Sequence, residues 1–348
     1  MKTHRIGVIG GDGIGPEVTA AALHVLDAVE ERFGFRTERQ EFPWSGAHYL
    51  ATGEHFTEAA LEPLRLLDAI LLGAIGHPDA PRGLIEAEVI FRIRRGLDLY
   101  VNLRPLVLYD DRLTPLKGKT AREIDIVVVR ENTEDVYGRE GRTERAGTPE
   151  ESVSVDMVFT RRGIERVTRY AFELARSRPD RHLTLVDKAN AIPVQGLWRT
   201  ILDEVGAEFP EVTRDAMYVD AAAMQLVLKP ELFDVIVTTN LFGDIITDLG
   251  AAICGGIGVA ASGNIHPGRV SVFEPIHGSA PKYAGRGSAS PVGAIGAVAL
   301  MLEHLGERDA GRAIDTAIRK GFASGRIPGT EAGSAPTDEV ASAVAEAL

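Results

Sequence analysis

The stretch Ile6-Gly-Val-Ile-Gly-Gly-Asp-Gly-Ile-Gly-Pro16 reads as a short apolar strand that breaks into a glycine turn at the mouth of a helix. From Pro16 to Arg32, Val18, Ala22, Val25, Leu26 and Val29 recur at helical spacing, so the order is strand, tight loop, helix. Working outward, Ala69–Gly73, Ile124–Val129, Leu183–Val186 and Phe233–Thr238 are further continuous apolar runs, the composition of strands buried on both faces. The class is α/β. Between Val136 and Val153 the chain turns polar and turn-rich, and Ser152–Asp156 alternates like an exposed or paired strand, so this middle region reads as a separate lobe. After Gly325 a Pro- and Gly-containing loop leads to a final amphipathic helix from Asp338, with Thr337 as its cap.

The glycine loop invites a dinucleotide reading, because glycines let backbone amides approach phosphates at a helix start. The spacing fails: the G-x-G-x-x-G pattern meets Pro16 when started from Gly11 and Val18 when started from Gly13. The alternative is a tight strand-to-helix turn that belongs to some other pocket.

A chain of 348 residues, 45% hydrophobic, is long enough for about two domains with a sizeable core. With 38 Lys+Arg against 50 Asp+Glu, the net charge of −12 repels phosphate backbones and anionic headgroups, which argues against nucleic-acid and membrane-surface partners. An anionic small substrate then needs a local cluster of basic side chains. The single Cys254 excludes an intramolecular disulfide and any zinc site built on cysteines, and points to a reducing cytoplasm. The longest apolar stretch, Val292–Leu302, is too short to span a bilayer.

Basic residues concentrate in Phe91-Arg-Ile-Arg-Arg-Gly-Leu-Asp-Leu-Tyr-Val-Asn-Leu-Arg-Pro105, and Arg130 closes an apolar strand. Converging guanidinium groups suit a di- or tricarboxylate through paired hydrogen bonds; a solvated helix face is the other reading. Arg104 and Arg130 adjoin apolar runs, where an unpaired charge is costly. Asn240-Leu-Phe-Gly-Asp-Ile-Ile-Thr-Asp248 opens a helix with Asp244 and Asp248 one turn apart, and with Asp220 these form an oxygen-ligand set for Mg²⁺ or Mn²⁺. Capping by Asp244 and solvation of Asp248 would equally explain the pair. Lys188 ends a strand, where its amine can enter a cleft or lie on the surface; Tyr137 and His277 likewise read as site or core-edge residues.

With these pieces together, the chain resembles the isocitrate/3-isopropylmalate family of metal-dependent β-decarboxylating dehydrogenases. The resemblance is carried in order by GDGIGPEV at 11–18, RRGLDLYVNLRP at 94–105, VRENTEDVY at 129–137, DKAN at 187–190, VDAAAM at 219–224, NLFGDIITDL at 240–249 and EPIHGSAPKYAG at 274–285. It implies a two-domain isopropylmalate-dehydrogenase-like fold rather than a standard Rossmann one: a large cofactor-binding domain from 1–99 plus 252–348, and a smaller α/β dimerisation domain from 100–251. It implies that Arg94, Arg104 and Arg130 grip the malate carboxylates, and that Asp244 and Asp248, with Asp220 of the partner subunit, hold Mg²⁺ or Mn²⁺ against the substrate's 2-hydroxyl and adjacent carboxylate. Lys188, also from the partner, assists deprotonation of that hydroxyl as hydride leaves C2; after decarboxylation Tyr137 protonates the enolate carbon. The shared site makes a homodimer obligatory. Glu274, His277, Gly278, Ser279, Ala280, Lys282, Tyr283 and Ser290 are assigned to the dinucleotide. Lys282-Tyr283 stands where NAD-using relatives carry an Asp, which implies NADP over NAD.

Two positions depart from the family pattern. Ser290, not Asn, precedes Pro291 at the adenine contact. At the substrate-selecting helix, alignment on Arg94 puts Glu88 and Ile90 where isocitrate enzymes carry Ser and Asn, and Phe91 where homoisocitrate enzymes carry Arg. On an α-helix Ile90 and Phe91 share the face of Arg94, giving an apolar lining. The expected reaction is NADP-dependent oxidative decarboxylation of a 3-substituted (R)-malate, 3-isopropylmalate first. Homoisocitrate, tartrate or D-malate, and isocitrate are the alternatives within the family. An inactive regulatory subunit and a phosphate-ester binding module are the alternatives outside this chemistry.

Overall fold

A computed structural model describes residues 2–81 and 83–348. The first segment runs β1 (Thr3–Gly11), α1 (Gly15–Phe33), β2 (Arg36–Glu41), α2 (Gly46–Thr52), α3 (Glu58–Arg65), β3 (Ala69–Ala74), α4 (Arg92–Gly96) and β4 (Val101–Val107). The middle runs β5 (Asp125–Glu131), β6 (Arg142–Glu144), β7 (Ser152–Ser154), α5 (Arg161–Ser177), β8 (His182–Asp187), α6 (Gly196–Gly206), β9 (Thr213–Tyr218), α7 (Val219–Leu228), β10 (Val235–Thr238) and α8 (Asn240–Ile253). Then come β11 (Ala261–Ile265), β12 (Ser271–Pro275), α9 (Val292–His304), α10 (Arg308–Ala323) and α11 (Thr337–Ala347).

Two compact units result, residues 1–125 with 248–348, and residues 126–247. The divisions lie at 125/126 and 247/248 instead of 99/100 and 251/252. The first differs because β4 pairs antiparallel with β11, tying 101–107 to the returning chain.

In the larger unit the strand order is β2-β1-β3-β12-β11-β4. The strands from β2 to β12 are parallel, and β11 is antiparallel to both its neighbours. α1 starts with Pro16 in its first turn and turns Val18, Ala22, Val25, Leu26 and Val29 inward. Val25, Leu26 and Val29 are fully buried, each contributing about 1.5–3 kcal/mol. α9 is buried on nearly every side, which is why its sequence is apolar all round. A second apolar cluster of Phe56, Leu61, Leu64, Val89, Ile93 and Leu97 backs the segment that leads into Arg94.

α11 begins at Thr337, so Thr337 is not its cap. Extended Pro336 takes that position, and the Thr337 hydroxyl donates instead to the Ala289 carbonyl at 2.7 Å.

The smaller unit is a parallel sheet in the order β5-β10-β8-β9. The Thr160 hydroxyl caps α5 by accepting from Gly163 N at 3.0 Å, and the helix buries Ile164, Val167, Ala171 and Phe172. β6 and β7 pair as a two-stranded antiparallel ribbon whose residues are all exposed.

Candidate active site

In open α/β sheets, ligands collect at the carboxyl ends of the strands. In the smaller unit those ends carry Arg130 on β5, Lys188 after β8 and Asn240 after β10. Arg130 is buried and held at all three nitrogens: Nε and Nη2 donate to Asn240 Oδ1 at 3.0 and 2.7 Å, and Nη1 to Asp244 Oδ1. Its guanidinium also lies 5.4 Å from the Tyr137 ring centroid. The Tyr137 hydroxyl donates to Asp244 Oδ2 at 2.8 Å. Burial, then the Asp244 carboxylate, push the Tyr137 phenol up to about 12, so it carries its proton at neutral pH. Arg130, Tyr137 and Asp244 are thus brought together.

Lys188 and Asp220 form a second pair, Nζ to Oδ1 2.5 Å. That bond holds the Asp220 carboxyl below its usual range. The Lys188 ammonium also faces the Tyr218 ring at 5.8 Å, and Arg199 covers the same ring at 4.7 Å. Asp244 and Asp248 stand one turn apart on α8, and Asp248 lies 4.0 Å from the buried Arg104. Their carboxylate oxygens suit a hard divalent ion. Among the described residues, however, no three acidic, histidine or cysteine side chains gather as a metal-holding group.

In the larger unit Arg94 donates from Nη2 to Glu274 Oε1 at 3.1 Å. The same oxygen accepts from Asn264 at 2.7 Å, and Asn264 accepts from Asn102 at 3.0 Å. Ile90 is half-buried against the apolar cluster, Phe91 is half-buried, and Arg92 and Arg95 are exposed. Residues Glu86–Phe91 form a π-helical turn before α4. Its wider repeat means that the α-helical phase argument linking Ile90 and Phe91 to Arg94 does not carry across it.

Amides of the glycine loop are committed within the protein: Asp12 N donates to Ala74 O at 2.6 Å and Ile14 N to Ser279 O at 2.8 Å. The Asp12 side chain accepts from Gly46, Ala47 and Gly76 N–H groups at 2.8, 2.9 and 3.0 Å. Gly13 has φ +60°, and a Cβ there would run into the Ser279 carbonyl. The loop therefore docks onto Ser279, in the segment that the sequence leads one to expect at the dinucleotide. His277 is buried with Nε2 lacking a partner, and burial lowers its imidazole pKa. Ser290 Oγ is likewise buried without a partner, and Gly278 opens onto free space. Glu274 and Ser279 are buried, while Ala280 has the left-handed φ of +39° that starts the turn Pro281–Tyr283. Lys282 lies 4.6 Å over the Tyr283 ring.

Asn240, which fixes Arg130 by two bonds, escaped the sequence reading, although its place directly after a strand and at the head of the Asp244 helix was a usable signal.

The family model described as isocitrate/isopropylmalate dehydrogenase matches residues 5–344. A 3-isopropylmalate dehydrogenase of Thermobifida fusca is 49% identical, over 99% of each chain. One of Nocardia farcinica is 49% identical over 99% of this chain and 100% of its own. Among solved structures, isocitrate dehydrogenase from Methylococcus capsulatus superimposes with a TM-score of 0.86 at 35% identity, covering 99% of each chain. A β-decarboxylating dehydrogenase from Thermococcus kodakarensis gives 0.81 at 35% identity, over 99% of this chain and 96% of the other.

Proposed function

Because the chain belongs to the isocitrate/isopropylmalate dehydrogenase family of decarboxylating oxidoreductases, we propose that it oxidises and decarboxylates a 3-substituted (R)-malate, with 3-isopropylmalate as substrate, NADP as oxidant and Mg²⁺ or Mn²⁺ as metal. The observation that carries this reading is the Arg130–Asp244–Tyr137 group, in which a locked guanidinium, a metal-type carboxylate and a protonated phenol meet. When bound, the nicotinamide supplies a hydride acceptor and the divalent ion a Lewis acid. Arg94, Arg104 and Arg130 bind the two carboxylates through paired hydrogen bonds, and Asn240 keeps Arg130 from swinging away. Lys188, supplied by the partner subunit in the shared site, assists deprotonation of the 2-hydroxyl as C2 is oxidised. Loss of CO₂ leaves an enolate, and Tyr137 delivers a proton to its carbon.

The substrate preference rests on alignment rather than helix phase: Ile90 and Phe91 stand where tricarboxylate enzymes of the family carry polar residues, and an apolar pair there favours an isopropyl group, worth roughly 0.8 kcal/mol per buried methylene equivalent, over a third carboxylate, whose burial without a partner costs several kcal/mol. Exposed Lys282 beside Tyr283 supplies the cation and phenol that a ribose phosphate requires, while His277, Gly278, Ser279, Ala280 and Ser290 line the same stretch.

A homodimer with shared sites is supported by two exposed apolar surfaces. α7 exposes Met224, Val227 and Leu228, and the β6–β7 ribbon exposes Val153, although a lone hairpin is marginal in water. Among the described residues no helix is long and apolar enough to cross a membrane, and the single buried Cys254 suits a reducing cytoplasm. The test is absorbance at 340 nm with 3-isopropylmalate, NADP⁺ and Mn²⁺, with CO₂ measured alongside. Equal amounts of reduced cofactor and CO₂ are expected; no turnover, or reduction without CO₂, would overturn the reading.

A further inference from the structure

Asp135 combines features that a surface turn does not need. It is fully buried, it is not glycine, and its backbone sits in the left-handed region at φ +76°. Glycine adopts that conformation freely and asparagine and aspartate tolerate it, but of the three only aspartate brings a carboxylate into a buried place. One oxygen, Oδ2, accepts from the Leu241 backbone N–H at 2.9 Å, while Oδ1 is buried without a hydrogen-bond partner.

The bond to Leu241 falls in the first turn of α8, where backbone N–H groups have no partner within the helix and a negative charge is favoured. Asp244 lies three residues further along, on the same side of the helix as Leu241. The backbone of Asp135 is pinned from two sides: its N–H donates to Val158 O at 3.0 Å, and its carbonyl accepts from Arg139 Nε at 2.6 Å. Beside it the Asn240 side-chain amide donates to Glu134 O at 3.1 Å. Two residues after Asp135, Tyr137 turns its hydroxyl onto Asp244. Strained residues of this kind cluster where geometry is functional.

We infer that Asp135 is a positioning residue: by capping α8 from a left-handed turn, it locks the Tyr137 loop to the helix that carries Asp244 and so sets the phenol for proton delivery. This rests on the proposed decarboxylation, in which Tyr137 is the proton donor.

The test uses full-length Asp135→Asn, Asp135→Gly and Asp135→Ala. Asparagine keeps both the turn and an acceptor for Leu241 N–H, so kcat stays within about threefold of wild type. Glycine keeps the turn and loses the acceptor; kcat falls roughly 10- to 100-fold, the scale of a small misplacement of a catalytic group. Under glycine the substrate KM and the dinucleotide Kd stay within about twofold. Because proton delivery is the step disturbed, the solvent deuterium effect on kcat grows and the C2-deuterium effect shrinks. Alanine loses both turn and acceptor and is at least as impaired as glycine.

Hydrogen exchange reads the cap without catalysis: amides at 240–244 exchange faster in Asp135→Gly than in Asp135→Asn. Equal damage by asparagine and glycine, a raised KM with unchanged isotope effects, or unchanged exchange at 240–244 would each overturn the proposal. If the wild-type enzyme turns over no malate, the proposed function fails and the proton-delivery role fails with it. The exchange comparison still decides the cap.

Discussion

Gly243 packs its α-carbon directly against the stem of Arg130. A Cβ built there would stand 2.5 Å from Arg130 Cγ, 2.7 Å from Cβ and 2.9 Å from Cδ. These are not the free end of a flexible chain, because the guanidinium beyond them is buried and held by Asn240 and Asp244. In an isolated helix Gly→Ala gains about 1 kcal/mol, whereas overpacking a filled site costs about 1–3 kcal/mol. Gly243→Ala should therefore change stability by no more than about 2 kcal/mol, a Tm decrease under about 5 °C. Catalysis should suffer more. Relieving the contact moves Arg130 by a few tenths of an ångström or more, and misplacement on the ångström scale costs about 100-fold, so kcat/KM should drop about 10- to 100-fold. Thermal melts and steady-state assays with 3-isopropylmalate read both numbers. A kcat/KM within threefold of wild type would refute the claim that α8 sets the position of Arg130, and a Tm loss above 10 °C would show that the packing estimate was wrong.

Three further outcomes are expected. Lys282→Asp with Tyr283→Ile should move preference from NADP⁺ toward NAD⁺, measured as the ratio of kcat/KM values; a wild-type ratio already favouring NAD⁺ would refute the cofactor assignment. Mixing inactive Lys188→Ala with inactive Asp244→Asn should restore some activity if sites are shared, and no rescue after proven subunit exchange would place each site within one chain. His182 Nε2 lies 3.6 Å from Asp215 Oδ1, and their pairing raises the imidazole pKa and lowers the carboxyl pKa. The histidine share of that stabilisation is complete below about pH 6.5 and lost as pH rises through the raised value; the aspartate share is present above about pH 3.9 and lost on further acidification. His182→Gln should thus destabilise by about 0.5–1 kcal/mol near pH 5 and not at pH 9, and equal urea midpoint shifts at both would exclude the pair.

Much of the fold was legible because buried parallel strands write continuous apolar runs: the runs at Ala69, Ile124, Leu183 and Phe233 lie in or overlap β3, β5, β8 and β10. The unit boundaries were not, since the antiparallel pairing of β4 with β11 joins residues about 160 apart and leaves no local mark. Thr337 shows the same limit at small scale: a capping residue type was present, but the Ala289 carbonyl captured its hydroxyl. The proximity of Arg130 to Asp244 could be inferred only through motifs, because nothing in either segment alone specifies the other. The π-helical turn at Glu86–Phe91 was invisible to a 3.6-residue pattern, and it sits where substrate selection is proposed.

The most direct test is a comparison of catalytic efficiency among three substrates, 3-isopropylmalate, isocitrate and homoisocitrate, with NADP⁺ and Mn²⁺ on the wild-type enzyme and on Phe91→Arg. The alignment that puts apolar Ile90 and Phe91 where tricarboxylate enzymes carry polar residues predicts that 3-isopropylmalate is preferred and that Phe91→Arg narrows the gap. A higher kcat/KM with either tricarboxylate would contradict it.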